Sequence, residues 1–217
     1  MTFTGHVFLG LSVDGFIARP DDDLGWLESR GAEAGDAGFT PFVASVDALL
    51  MGRGTYRVIA PSDGWPYQGR PVHVLSSTLA ADADPRVTVH RTLDDAVAAL
   101  EAAGYGRVYL DGGRLVRSML ARGRVQTLTL SRVPVLIGEG HTLFGPLPGD
   151  VDLEHVETTV LGGGMVQTTY RVREQGPATG DYDGHGRLPH RWHRTRRLLR
   201  ARGPAGRRAH RPGAGAQ

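Results

Sequence analysis

A short apolar run that ends on two glycines, Arg107-Val-Tyr-Leu-Asp-Gly-Gly113, constrains this chain more than any other stretch. Val108, Tyr109 and Leu110 form a continuous apolar segment of the kind that suits a strand buried on both faces. After Gly112-Gly113, residues Leu115, Val116, Met119 and Leu120 recur at helical spacing, and Gly123 supplies a stop. The unit is strand, glycine pair, helix. Two residues without a β-carbon let a bulky group approach the backbone. The helix that follows turns free N–H groups and the positive end of its dipole toward the same spot. An anion, a phosphate above all, suits that place. The bland alternative is that a tight strand-to-helix turn needs glycine for steric reasons anyway.

A second transition of the same kind stands upstream. Ala48-Leu-Leu-Met51 reads as a buried strand and stops at Gly52-Arg-Gly-Thr-Tyr56, where a helix begins. Arg53 can fork onto a phosphate and Thr55 can offer its hydroxyl; a capped helix with a solvent-facing arginine explains the same residues. Val72 to Leu75 is a third strand, and Ser76-Ser77-Thr78 at its end can hold a ribose or phosphate or satisfy turn backbone.

Around these units the pattern is regular. Val7 to Val13 is a first strand, Asp14-Gly15 a turn, and Phe16-Ile17-Ala18 a short extension. Arg19 to Leu27 reads as a polar loop whose three aspartates are better explained by solvent than by a metal. Phe39, Phe42, Val43 and Val46 mark an amphipathic helix, with Thr40 as cap and Pro41 at its first position. Val87 to His90 is a strand, and Thr92 with Asp95 makes a capping box for the helix carrying Leu93, Ala96, Val97 and Leu100. Val125 to Val135 is a strand, and two alternating segments flank Gly162-Gly163-Gly164 as a hairpin. Alternation of strand and helix followed by a terminal hairpin predicts an α/β fold, mostly parallel, with antiparallel strands at one edge.

Composition excludes several chemistries. The 217 residues contain no cysteine, so disulfides and thiolate metal sites are impossible, and no metal is expected. All 25 basic residues are arginine, and a P-loop needs a lysine. No Gly-x-Gly-x-x-Gly follows the first strand, and no His-Glu-x-x-His or Gly-x-Ser-x-Gly occurs. No segment reads as a signal peptide or a bilayer span, which predicts a cytoplasmic protein without a membrane partner. The net charge of +2 hides an asymmetry: residues 1–174 hold 15 Arg against 21 acidic residues, and residues 175–217 hold 10 Arg against 2 Asp. The chain therefore divides into a globular domain, 1–174, and an Arg/Gly/Pro-rich tail, 175–217, expected to be disordered. The tail offers weak, non-specific nucleic-acid contacts at most, or is read-through without a role.

Five stretches in order, Ser12-Val-Asp-Gly-Phe-Ile-Ala18, Met51-Gly-Arg-Gly-Thr-Tyr56, Val74-Leu-Ser-Ser77, Val108-Tyr-Leu-Asp-Gly-Gly-Arg114 and Pro134 to Phe144, resemble the dihydrofolate reductase-like family. The nearest likeness is to the reductase domain of riboflavin biosynthesis, and it covers roughly residues 5–173. The resemblance implies a three-layer fold with helices on both faces of the sheet, and a reductase that uses NADPH. By family position Gly52, Arg53 and Thr55 lie at the cofactor phosphates, and Leu75, Ser76 and Ser77 at its adenosine and 2′-phosphate end. Gly112, Gly113, Arg114 and Leu115 lie at the pyrophosphate, and Ile17 and Ala18 offer backbone to the nicotinamide carboxamide. Asp36 falls where dihydrofolate reductases place a substrate carboxylate, although a carboxylate before a helix can equally cap it. The implied substrate is a pyrimidine or pterin, such as 5-amino-6-(5-phosphoribosylamino)uracil or a dihydrofolate-like compound. The implied assembly is a homodimer. Two departures stand out: Asp111 occupies a position where many members carry a small residue, and the deaminase half of the bifunctional riboflavin enzyme has no counterpart here. A non-catalytic nucleotide-binding or regulatory module of the same fold is the second reading.

Overall fold

The computed structural model describes residues 2–61, 64–67 and 69–173; the expected tail lies outside them. In chain order the elements are β1 (Thr4–Ser12), β2 (Phe16–Ala18), α1 (Gly25–Gly31), α2 (Phe39–Ala44), β3 (Ala48–Gly52), α3 (Arg53–Ile59), β4 (Val72–Leu75), β5 (Val87–His90), α4 (Leu93–Ala102), β6 (Arg107–Asp111), α5 (Gly113–Ala121), β7 (Val125–Val133), β8 (His141–Thr142), β9 (Leu153–Val160) and β10 (Val166–Val172). Eight strands form one sheet in the order β5-β4-β3-β6-β1-β7-β10-β9. Pairing is parallel from β5 to β7, and β10 joins β7 and β9 antiparallel. The α/β fold with a mostly parallel sheet and a C-terminal antiparallel hairpin is thus the one the sequence predicts.

The central strands are apolar throughout because both their faces are covered. In β3, Ala48 and Leu50 point to a core shared with Leu100 of α4 and Leu115, Val116 and Met119 of α5. Leu49 and Met51 point the other way, to a core with Tyr56 of α3 and the rings of Phe39 and Phe42 on α2. Each such fully buried leucine contributes about 2 kcal/mol relative to exposure. A third, smaller cluster joins Trp26 of α1 to Val133 and Met165.

Local details depart from expectation in three places. Residues 25–27, expected as the end of a polar loop, instead open a helix that runs to Gly31, because Trp26 and Leu27 have a core to enter. Thr40 does not cap α2: the N-cap is Gly38, and Thr40 lies inside the helix. β7 ends at Val133, two residues before the expected stop. Thr92 caps α4 as expected, its hydroxyl accepting from the Asp95 amide at 3.1 Å.

One irregularity of the sheet matters for the site. β1 pairs with β6 at only three positions, the last being His6 with Tyr109. β1 continues to Ser12 on the arm of β7, and β6 continues to Asp111 on the arm of β3. The pairing of these two neighbours therefore stops short of their carboxyl ends.

Candidate active site

In open parallel sheets, ligands bind beyond the carboxyl ends of the strands. Register places the predicted residues at that edge. Gly52 stands opposite Leu75, and Met51 opposite Asp111, so Arg53 with Thr55, Ser76 with Ser77, and Gly112 with Gly113 all follow strands that end side by side. The two strand–glycine–helix turns touch: a β-carbon on Gly112 would lie 2.8 Å from the Thr55 hydroxyl and 3.8 Å from the Gly52 nitrogen. Gly112 also has φ +101°, which side chains rarely adopt. Tyr56 donates to Asp84 at 3.1 Å, and Arg86 clasps the same carboxylate, which ties α3 to the segment before β5.

Gly52 differs from its neighbour. Its backbone is ordinary, with φ −78°, and an added β-carbon would meet no atom within 4 Å. Nothing inside the protein requires glycine there, so the open space beside it suits a bound group that approaches the backbone.

The polar side chains around this edge have partners of their own. Arg53 is exposed and donates to the Thr78 hydroxyl. Ser76 is buried, and its oxygen accepts from the amides of Thr78 at 3.3 Å and Leu79 at 2.9 Å. Ser77 and Arg114 are exposed, whereas the Leu115 side chain belongs to the core, which leaves its backbone to face the edge.

Ile17 and Ala18 reach the site by a route that spacing does not reveal. β2 pairs with β8, Ala18 opposite His141 and Phe16 opposite Thr142. The Thr142 carbonyl in turn lies on the first residue of α5, where a β-carbon on Gly113 would stand 2.3 Å from it. Arg117 of α5 donates to the carbonyls of Thr142 at 2.8 Å and Leu143 at 3.1 Å. Asp14 holds the loop's far side, accepting from the amides of Gly138 at 2.8 Å and Ile137 at 3.2 Å. The β2–β8 strap thus lies against the head of α5. The second glycine of the pair makes room for this carbonyl, a purpose unrelated to phosphate.

The buried acid of the site is Asp111. Burial pushes its carboxyl up to about 6, against hydrogen bonds from Tyr109 and the Gly112 amide that pull the other way. The Tyr109 hydroxyl lies 2.9 Å from the Phe8 carbonyl and 3.1 Å from Asp111. That hydroxyl has a single proton and the carbonyl can only accept. The one Tyr109 proton is shared between two acceptors, the Phe8 carbonyl and the Asp111 carboxylate. Burial and the neighbouring Asp111 also push the Tyr67 phenol upward. Asp36, by contrast, is exposed, and its carboxylate accepts from the Thr40 amide at 3.0 Å and the Thr40 hydroxyl at 2.8 Å. The Asp36 carboxylate therefore serves Thr40 in the first turn of α2, from two residues ahead of the N-cap Gly38. Asp111, Tyr109, Arg117 and Thr142 were not among the expected site residues. An acid at the end of an apolar run was visible in the sequence, but its burial was not.

Elsewhere, a hollow of about 680 Å³ lies at the opposite end of the sheet, lined by Phe3, Leu120, Val125 and Val172. It holds no buried acid and no paired glycine turns. Among the described residues no cluster of three His, Asp or Glu could hold a metal, and no helix is long and apolar enough to cross a membrane.

The chain has informative relatives. A family model described as the RibD C-terminal domain matches residues 5–167. The uncharacterized protein YwjB of Bacillus subtilis (strain 168) is 28% identical over 169 residues, which span 76% of this chain and 95% of YwjB. A Shewanella sp. PV-4 crystal structure, whose name assigns it provisionally to riboflavin biosynthesis, is 32% identical with a TM-score of 0.70, covering 78% of this chain and 99% of that one. A pyrimidine reductase-like protein from Corynebacterium diphtheriae shares the fold, with a TM-score of 0.62 at 16% identity over 79% of this chain and 92% of its own.

Proposed function

The chain belongs to the RibD C-terminal domain family, and from that premise we propose that it is an NADPH-dependent reductase of a pyrimidine or pterin. The observation that carries the reading is the contact between the two turns, with Gly112 against Thr55 and open room at Gly52. A dinucleotide with several phosphates needs adjoining amide-rich pockets, and these adjoin. The residues fit the group: the free amides at the start of α5 and the exposed Arg53 and Arg114 supply positive charge. Ser77 stands at the adenosine end, and the short pairing of β1 and β6 leaves an entry for a flat ring.

When bound, NADPH supplies the hydride. Ile17 and Ala18 present backbone groups to the nicotinamide carboxamide, and α5 holds the pyrophosphate. Hydride addition to a C=N or C=O group calls for one proton, and Asp111 is suited to give it. Burial raises its pKa to about 6, which leaves a fraction of it protonated near neutral pH, and the Tyr109 hydroxyl, donating to Asp111, fixes the carboxyl group in place. We assign the acid to Asp111 rather than to Asp36. The physiological substrate is a small pyrimidine or pterin in the manner of 5-amino-6-(5-phosphoribosylamino)uracil, reduced in the cytoplasm.

Val156, Val160 and Val166 are exposed on the β9–β10 arm, which suits a second copy; sedimentation in an analytical ultracentrifuge at several concentrations reads this directly, and a monomer throughout contradicts it. A screen of pyrimidines and pterins that follows NADPH oxidation tests the function. Turnover with one of them, lost in Asp111→Asn, supports it. A non-catalytic nucleotide-binding module would bind NADPH, turn over nothing and be indifferent to that change.

A further inference from the structure

We infer that Arg117 is a positioning residue that sets the grip of the site on the nicotinamide half of the cofactor; this rests on the NADPH reading above. Arg117 stands one helical turn beyond Gly113, and helical side chains lean back toward the N-terminus. Its guanidinium therefore returns to the start of α5, where its Nη1 would lie 3.2 Å from a β-carbon on Gly113. There it donates to two carbonyls of one segment, Thr142 at 2.8 Å and Leu143 at 3.1 Å. Gly145 completes the seat, with the Arg117 side chain 3.1 Å from its would-be β-carbon.

The segment so held is the outer strand of the strap. Thr142 pairs with Phe16 and His141 with Ala18, so the position of Ile17 and Ala18 relative to α5 is set through Arg117. The tie has a physical rationale. β2 has three residues and β8 two, and so short a pair is not stable by itself. Hydrogen bonds from a charged donor are stronger than neutral ones, and a planar guanidinium can serve two carbonyls at once. Without it, the strap keeps its apolar anchor, the fully buried Leu143, and loses its register against the helix.

The consequence is selective. The head of α5 holds the pyrophosphate by its own amides, which do not depend on Arg117. The nicotinamide end depends on the strap. The test is to titrate wild type and Arg117→Ala with NADPH and with phospho-ADP-ribose, the same molecule lacking nicotinamide, by calorimetry. The predicted result is a loss of roughly tenfold in NADPH affinity with phospho-ADP-ribose affinity unchanged, and partial recovery in Arg117→Lys, which retains a charged donor but not the planar fork. Should Arg117→Ala not fold, Arg117→Gln replaces it in the same comparison. Equal losses for both molecules, or no loss for either, overturn the inference while leaving the reductase reading in place. Wild-type protein that binds neither molecule overturns both.

Discussion

Gly112 and Thr55, 57 positions apart in sequence, sit so close that a methyl group on the glycine would lie 2.8 Å from the threonine hydroxyl. This contact locks the turn after β6 to the turn after β3. Gly112→Ala meets that hydroxyl and a φ of +101° together, and is expected to cost about 1–3 kcal/mol. Urea denaturation reads the loss. The variant should also bind NADPH more weakly.

Gly52→Ala should behave in the opposite way. The backbone there accepts any residue, and no atom lies within 4 Å of the added carbon. Stability is expected to stay within about 0.5 kcal/mol of wild type, while NADPH affinity falls as the methyl enters the space beside the cofactor. Unchanged affinity would mean that nothing occupies that space.

Asp111 gives a pH signature. Its folded pKa of about 6 lies above the ordinary 3.8, so the native state holds the proton more tightly than the unfolded chain. This group's contribution to stability therefore declines as pH rises from about 4 to about 6 and is level above. Asp111→Asn keeps the hydrogen bond to Tyr109 and removes the charge. It should be more stable than wild type near neutral pH, on the order of 3 kcal/mol, with the difference vanishing near pH 4. Equal stabilities across the range would show that Asp111 ionises freely.

Three buried histidines act with the opposite sign. Burial lowers His6 and His73 from 6.5 to about 4, with Arg107 and His90 adding to it respectively, and lowers His90 as well. The unfolded chain takes up these protons first. The stability they contribute is full above about pH 6.5 and is lost as pH falls toward 4. His73 and His90 face each other at 2.8 Å with stacked rings, so His73→Gln should flatten part of the acid limb of the stability profile. The urea midpoint measured across this range checks it.

Arg53 is exposed at the head of α3 with Thr78 as its partner. If it faces the 2′-phosphate, Arg53→Ala weakens NADPH several-fold and leaves NADH nearly untouched. Parallel titrations with the two dinucleotides separate this from a general loss.

Much of this was legible in the residues. A continuous apolar run that ends on glycine and opens a helical period identifies each of the central strands, because burial on both faces leaves no room for alternation. The edge where Gly52, Leu75 and Gly112 meet follows once the strands are parallel neighbours. Other parts could not be read. The Thr142 carbonyl on Gly113 is a backbone contact and leaves no side-chain signal. Residues 25–27 read as loop because Asp21 to Asp23 and Gly25 outweigh two apolar residues in a short window. Asp36 drew attention by its spacing from Met51, yet its exposed carboxylate serves Thr40. Asp111 is distinguished by burial, a property of the whole sheet.

The most direct test is a titration of the purified chain with NADPH that follows nicotinamide fluorescence, with phospho-ADP-ribose as competitor. Saturable binding, displaced by the competitor and weakened in Gly52→Ala, is the predicted result. No binding at millimolar NADPH would contradict the assignment of the joined turns to a dinucleotide.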